Sequence, residues 1–382
     1  MFAFWPFSKN KKQNHQLTEY WQAIEKIEKR YLELTGKLSV SQPKCLNLNG
    51  EKKKFLEKYK VGEVYNPQLL FKNKQFDGRS VLALQRFHES ITLKDDFFYF
   101  KRLYKEKIKN LLLMIDAYRQ WGEPASTKFI IKAKGRPSWF LFWQAKRFCA
   151  NYHGHRLKYK RKMTPQEVGM ALLKYVKEIS GETLSVVYSR YLASKAIIYP
   201  KKHLLKINSK ASFNDAELER LKVHEIGVHF TRYHNAKKLG RLILEIGTAN
   251  YLETEEGLAV YNEEKQGVLK SSQMFIYAGR VVAAHYALRC SFYKVFKILR
   301  GYGFSQKEAF EITFRAKRNL ADTSLAGAYT KDFVYFSGYH KVKKYAKQHR
   351  AKVNDLFFGK FALADLPKLE KYLKYKETGK FN

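Results

Sequence analysis

Cysteine is scarce in this chain. Its 382 residues hold three, Cys45, Cys149 and Cys290, far apart and without a C-x-x-C pair. That excludes a disulfide framework and a thiolate zinc knuckle, and it points to a reducing compartment. Acidic residues are few as well: 35 Asp and Glu stand against 73 Lys and Arg, a formal net charge of +38. Such a field attracts acidic partners, whether nucleic acid, anionic membrane or acidic polypeptide. The plainer alternative is a solvated, lysine-rich surface. Long apolar runs are missing too. None approaches the ~18–20 residues of a spanning helix, so no membrane span is expected. The opening MFAFWPFSKNKK sets its apolar residues before its charges, the reverse of a secretory signal. The expectation is a soluble cytoplasmic protein, although a dedicated secretion machine would leave no trace of this kind.

Apolar residues make up 45% of the chain, enough for a real core. Residues 1–16 read as a basic, mobile lead. Helical spacing runs from Leu17 to about Thr35 through Tyr20, Ile24, Ile27, Tyr31 and Leu34. Residues 37–60 read as a connection, and 78–121 as one long helical region stopped by Gly122-Glu123-Pro124. A further helix is expected over 138–152. Thr164-Pro165-Gln166-Glu167 is a helix start, with Thr as cap, Pro in the first position and Glu in the third. Three short apolar segments follow with strand character: 184–189, 196–200 and 203–208. Asn214 opens the next helix, with Leu218, Leu221, Ile226 and Phe230 facing inward. Later helices are expected near Thr254, over 271–300 and, behind the capping box Ser305-x-x-Glu308, over 306–318. After Gly327 the chain ends in a basic helical region. The fold class read from this is α+β, a helix-rich N-terminal region plus a catalytic domain with a small mixed sheet. The expected divisions are 1–60, 61–160, 161–345 and 346–382.

The chemistry centres on LKVHEIGVHF at 221–230. Zinc peptidases usually carry H-E-x-x-H, whose histidines share one helix face. Here His224 and His229 are five apart. In a regular α-helix they would be turned by roughly 140° and separated by about 7.5 Å along the axis. A π-bulge would return them to one face, and Gly227 lies inside the interval. The ordinary alternative is two unrelated helix histidines. A second element is Glu256 in ETEEGLAV at 253–260. In gluzincin-type peptidases the third ligand is a Glu on a following helix, beside a small residue that lets it approach the first helix. The ordinary reading is an acidic first turn behind Thr254 as cap.

HEIGVH, then Arg232 and Asn235, then TEEGLA resemble the bacterial QEGLA-motif proteins and the microtubule-associated tyrosine carboxypeptidases. YNPQLLF (65–71), RAKR (315–318) and GAYTKDFVYFSG (327–338) resemble further stretches of that family, so the likeness runs from about 60 to 340. The departures are Glu255 for Gln, Tyr329 for Phe and Asn319 for Gly, none at a matched ligand. The resemblance implies a zincin-like, gluzincin-type zinc metallocarboxypeptidase. It implies His224, His229 and Glu256 as ligands of Zn2+ and Glu225 as general base. A carboxypeptidase must also hold a terminal carboxylate. Arg315, Arg318 and Lys331 lie in the matching stretches, with Arg318 and Lys331 favoured, against the ordinary reading that Lys331 pairs with Asp332. Tyr335 or Tyr329 could donate to an oxyanion. Segment 203–208, as an edge strand, could hold an extended peptide.

The expected reaction is removal of a C-terminal residue, tyrosine or another aromatic, from a protein. The charge suits an acidic tail such as that of tubulin. The alternative is a basic nucleic-acid-binding or regulatory protein with a vestigial metal site.

Overall fold

In the computed structural model, residues 11–38, 40–72, 74–154, 162–190, 192 and 194–378 are described. Most of the basic lead, residues 1–10, lies outside them. The chain forms two compact units. Unit 1 holds Met1–Asn151, Phe275–Phe333 and Asp365–Asn382; unit 2 holds Tyr152–Met274 and Val334–Ala364.

Unit 2 begins where the sequence signals are strongest. The Thr164 hydroxyl accepts from Glu167 N at 3.2 Å, and the Glu167 carboxylate accepts from Thr164 N at 2.7 Å. This capping box starts α7 (Pro165–Ser180), which stops at Gly181 in the left-handed conformation. The strands β1 (Ser185–Ser189), β2 (Ala196–Tyr199) and β3 (Leu204–Asn208) follow. β1 pairs parallel to β3 and β2 antiparallel to it, in the order β1-β3-β2. The expected mixed sheet is therefore present. Segment 203–208, however, supplies the central strand. Its backbone is paired on both sides, so it cannot take an added peptide; the outer strands are β1 and β2. Leu205 and Ile207 on β3 pack with Val168, Leu172 and Val176 of α7 and with Leu218, Leu221, Ile226 and Phe230. That buried set fixes which face of the following helix turns inward.

The following helix starts at Asn214, whose side chain accepts from Glu217 N at 3.0 Å. It runs as α8 (Asp215–Leu221), a π-helical stretch (Lys222–Phe230) and α9 (Thr231–Leu239). Further α-helices of this unit are α10 (Leu242–Ile246), α11 (Tyr251–Lys265) and α15 (Val334–Gln348). α11 begins before the expected position, so Thr254 is inside the helix and is not its cap. Its hydroxyl accepts from Leu363 N at 2.7 Å.

Unit 1 is built from α1 (Lys11–Gly36), α2 (Leu48–Lys60), α3 (Gly78–Ser90), α4 (Phe100–Arg119), α5 (Ser126–Lys134), α6 (Trp139–Ala150), most of α12 (Ser271–Ala287), α13 (Phe292–Gly301), α14 (Gln306–Lys317) and α16 (Leu366–Thr378). Three expectations are corrected here. The presumed connection at 37–60 contains α2. It shows no apolar stripe because Phe55 alone is its buried anchor, packed on Phe292, Phe296 and Phe310. Region 78–121 is two helices. Asp96 accepts from Lys101 N and Arg102 N at 3.0 and 2.9 Å and restarts the chain as α4. Region 271–300 is likewise two helices, with Ser291 capping the second. The capping box at Ser305 and Glu308 forms as expected.

Candidate metal centre

The centre is carried by unit 2. Through 222–230 the helix is wound one residue wider per turn, and the Thr231 hydroxyl donates to Ile226 O, five residues back, at 3.0 Å. The extra residue between the histidines is absorbed in this way. The rings of His224 and His229 come to 4.8 Å between centroids, at 81°. The expected distortion is present. Gly227 is not what makes room for it: a Cβ there would meet Lys222 O at 3.5 Å and Asn262 Nδ2 at 3.6 Å, ordinary contacts.

Each imidazole is braced through Nδ1. His224 Nδ1 lies 2.7 Å from Glu263 Oε1, and His229 Nδ1 lies 3.0 Å from Glu255 Oε1. Each outer carboxylate is met in turn by an arginine. Arg220 Nη1 donates to Glu263 at 3.1 Å, and Arg232 Nη1 donates to Glu255. With Nδ1 donating, each ring presents the Nε2 lone pair. Both Nε2 atoms face Glu256 Oε2, at 3.6 Å from His224 and 3.7 Å from His229. These separations exceed hydrogen-bond length. They approach the edge of a tetrahedron around zinc, roughly 3.4 Å for ligand bonds near 2.1 Å. The donor set therefore fits the ion.

Charge agrees with geometry. The outer carboxylates face guanidinium groups, while the inner pair, Glu225 and Glu256, carries the charge a divalent cation would balance. Burial by itself would lower the His224 pKa. The nearby carboxylates of Glu256, Glu263 and Glu225 outweigh it and raise the value to about 10. The cluster thus draws a positive charge to Nε2, which a proton supplies when no metal is there.

Glu225 stands beside the histidines; donor atoms of His224, Glu225 and His229 lie within 4.8 Å of one another. It is buried, and its Oε2 accepts from Ile198 N of β2 at 3.1 Å. The sheet therefore aims this carboxylate.

α11 supplies Glu255, Glu256 and Glu263, and a glycine sets its depth. A Cβ on Gly257 would lie 2.1 Å from Gly338 C, and one on Gly338 would lie 1.9 Å from Glu253 O. The small residue after Glu256 thus admits α15; its close neighbour is not the histidine helix as expected. Arg232 is fully buried. It donates from Nε to Leu356 O at 2.8 Å and from Nη2 to Phe361 O at 3.0 Å, while Asn235 Nδ2 donates to Phe357 O at 3.1 Å. The motif residues after HEIGVH therefore tie 356–361 to the helix.

Four expected residues, His224, Glu225, His229 and Glu256, come together. Tyr335 lies half-buried in the first turn of α15. Arg315, Arg318 and Lys331 belong to unit 1. There Arg315 Nε donates to Asp332 Oδ2 at 2.6 Å, and Arg318 Nη2 lies 3.5 Å from the same oxygen. The arginines, not Lys331, are the ones that engage Asp332. Burial would raise the Asp332 pKa; Arg315, Arg318 and Arg280 overcome that and hold it far below the usual carboxylate range. Tyr329 is buried against Trp121 and beneath the Arg318 guanidinium, 4.4 Å from its ring.

Glu263, Arg220 and the bracing role of Glu255 escaped the sequence reading. Glu255, a departure from the family pattern, does touch a matched ligand. The available signal was spacing: Glu263 follows Glu256 by two helical turns, on the same face.

Comparison with known proteins adds a second line. A sequence model of the family described as microtubule-associated tyrosine carboxypeptidase matches residues 53–377. Microtubule-associated tyrosine carboxypeptidase 1 of Homo sapiens is 36% identical over 138 residues, which is 34% of this chain and 28% of the relative. The Mus musculus protein of that name is 31% identical over 166 residues, 41% of this chain and 33% of the relative. The chain thus matches about a third or less of the length of these relatives.

Proposed function

The chain belongs to the microtubule-associated tyrosine carboxypeptidase family, and on that premise we propose that it is a zinc-dependent carboxypeptidase with a zincin-like, gluzincin-type centre. The observation that carries the proposal is the convergence of His224 Nε2, His229 Nε2 and Glu256 Oε2, with both imidazoles braced from behind. Three ligands beside a further carboxylate suit a catalytic site; a closed structural site uses four.

His224, His229 and Glu256 would hold the ion, which when bound supplies Lewis acidity and a water that ionises near neutral pH. Glu225 takes the proton of the attacking water and passes it to the leaving amine. The Ile198 N–H holds Oε2 of Glu225, and we assign the proton to Oε1. Glu263 and Glu255 keep the rings in the tautomer that presents Nε2. Assignment of Arg318, Lys331 and Arg315 to the terminal carboxylate, and of Tyr335 to the oxyanion, rests on the family resemblance. The substrate proposed is a protein C-terminus ending in tyrosine or another aromatic residue. The net charge of +38 favours an acidic tail.

Metal analysis and C-terminal mass spectrometry test this together. We expect one zinc per chain, release of a C-terminal Tyr from an acidic peptide, loss of release with chelator, and a fall in kcat of about 10²–10⁴-fold in Glu225→Gln. Substoichiometric zinc, or full activity in Glu225→Gln, would overturn the proposal.

A further inference from the structure

Unit 1 carries an exposed aromatic face that the proposed chemistry does not use. In α6, Leu141, Phe142, Ala145 and Cys149 are buried, whereas Trp139, Phe140 and Trp143 are 62%, 72% and 45% exposed. Three large rings on one outward stripe are an unusual exposure for a globular surface. They are grouped: the Trp139 and Trp143 rings lie 5.4 Å apart, and Lys146 Nζ sits 4.4 Å over Trp143.

The surrounding chain is cationic throughout. Residues 126–150 contain six Lys and Arg and no acidic residue. Beside the rings lies a cavity of about 630 Å³, walled by Lys128, Arg136, Ser138, Trp139, His285 and Arg289 among others. Among the described residues its wall includes no Asp or Glu. Trp139 is shared between the cavity and the exposed stripe. His285 stacks on Phe142 at 3.8 Å, and burial, followed by the charges of Arg289 and Arg136, lowers its pKa.

We propose that this face docks on an anionic membrane surface, with Trp139, Phe140 and Trp143 entering the lipid interface and a lipid phosphate group seated in the cavity between Lys128, Arg136 and Arg289. Aromatic rings with a polar edge settle at the headgroup level, and neighbouring cations add attraction to anionic lipid. The rings project from the surface. No helix among the described residues is long and apolar enough to cross a bilayer, so the contact is peripheral.

Vesicle co-sedimentation of the full chain at physiological salt tests the proposal. The vesicles are phosphatidylcholine alone, phosphatidylcholine with phosphatidylserine, and phosphatidylcholine with phosphatidylinositol 4-phosphate. We expect partition to both anionic vesicles, stronger to the phosphoinositide, with a blue shift of tryptophan emission. Replacing Trp139, Phe140 and Trp143 together with Ala leaves the charge unchanged and should lower partition at least about tenfold and abolish the shift. Arg136→Ala with Arg289→Ala should remove the phosphoinositide preference. Lys53→Ala with Lys174→Ala, which removes the same charge from exposed sites elsewhere, should not. Circular dichroism checks that each variant is folded. Equal partition of the aromatic variant, or equal loss in both charge variants, would reduce the effect to net charge and overturn the proposal. So would binding of soluble inositol 1,4-bisphosphate without vesicle binding, or displacement of the protein from vesicles by poly-glutamate at lower concentration than by the soluble headgroup.

Discussion

At the scale of single residues, the centre is a matter of which nitrogen is left available. His224 and His229 are recognisable in the sequence as a pair, but a sequence does not show that Glu263 and Glu255 take their Nδ1 atoms. Those partners lie 39 and 26 positions away and meet the rings only when α11 packs on the histidine helix. If they orient the ligands, Glu263→Ala should weaken zinc binding about 10–100-fold, measured by competition with a chromophoric chelator. An unchanged affinity would reduce Glu263 to a packing residue. Asp332 allows a second check, in unit 1. Its folded pKa lies below the unfolded value, so its contribution to stability is full above the unfolded pKa, near 3.9, and declines as pH falls from there toward the folded value. Asp332→Asn should therefore destabilise the chain at neutral pH and lose less stability than wild type on acidification. Denaturant melts across pH 2–7 would reveal it, and parallel curves for the two proteins would refute it.

Secondary-structure elements were legible wherever the signal is local. The capping boxes at Thr164 and Ser305 and the stop at Gly181 depend on neighbours a few residues apart, and all form. The π-helical stretch was legible for a different reason: two ligands five apart can share an ion only if the helix widens. The order of the strands was not legible. Three short apolar segments fit several arrangements, and β3 becomes central because β1 and β2 both pair with it. The reason for Gly257 was hidden as well, since Gly338, which it contacts, is 81 positions further along the chain. This separates two glycines by their surroundings. Gly227→Ala should change stability by less than about 1 kcal/mol, the helix-interior preference for Ala being of that size. Gly257→Ala should cost about 1–3 kcal/mol through overpacking and should weaken zinc binding, because α11 carries Glu256. Thermal melts and chelator competition compare the two. Equal effects would mean that the α11–α15 crossing does not set the depth of Glu256.

For the whole molecule, the charge of +38 acts through its field, not through any single contact. If an acidic tail is the substrate, KM for an acidic peptide should rise steeply with salt, while KM for a neutral peptide with the same terminal residue stays nearly level. Parallel salt dependences would remove charge from substrate selection. Composition, capping, the spacing of the histidines and the family likeness are properties of the chain read in order, and they suffice for an α+β chain, a strong positive charge, and His224, Glu225, His229 and Glu256 as candidates. Contacts distant in sequence decided the rest. The approach of both Nε2 atoms to Glu256 Oε2, at 3.6 and 3.7 Å, the carboxylates behind the rings, the central position of β3 and the engagement of Arg315 and Arg318 by Asp332 all required the chain to fold back on itself. The physical reason is that burial, pairing and pKa depend on every group that surrounds a side chain, and a sequence orders only its neighbours along the backbone.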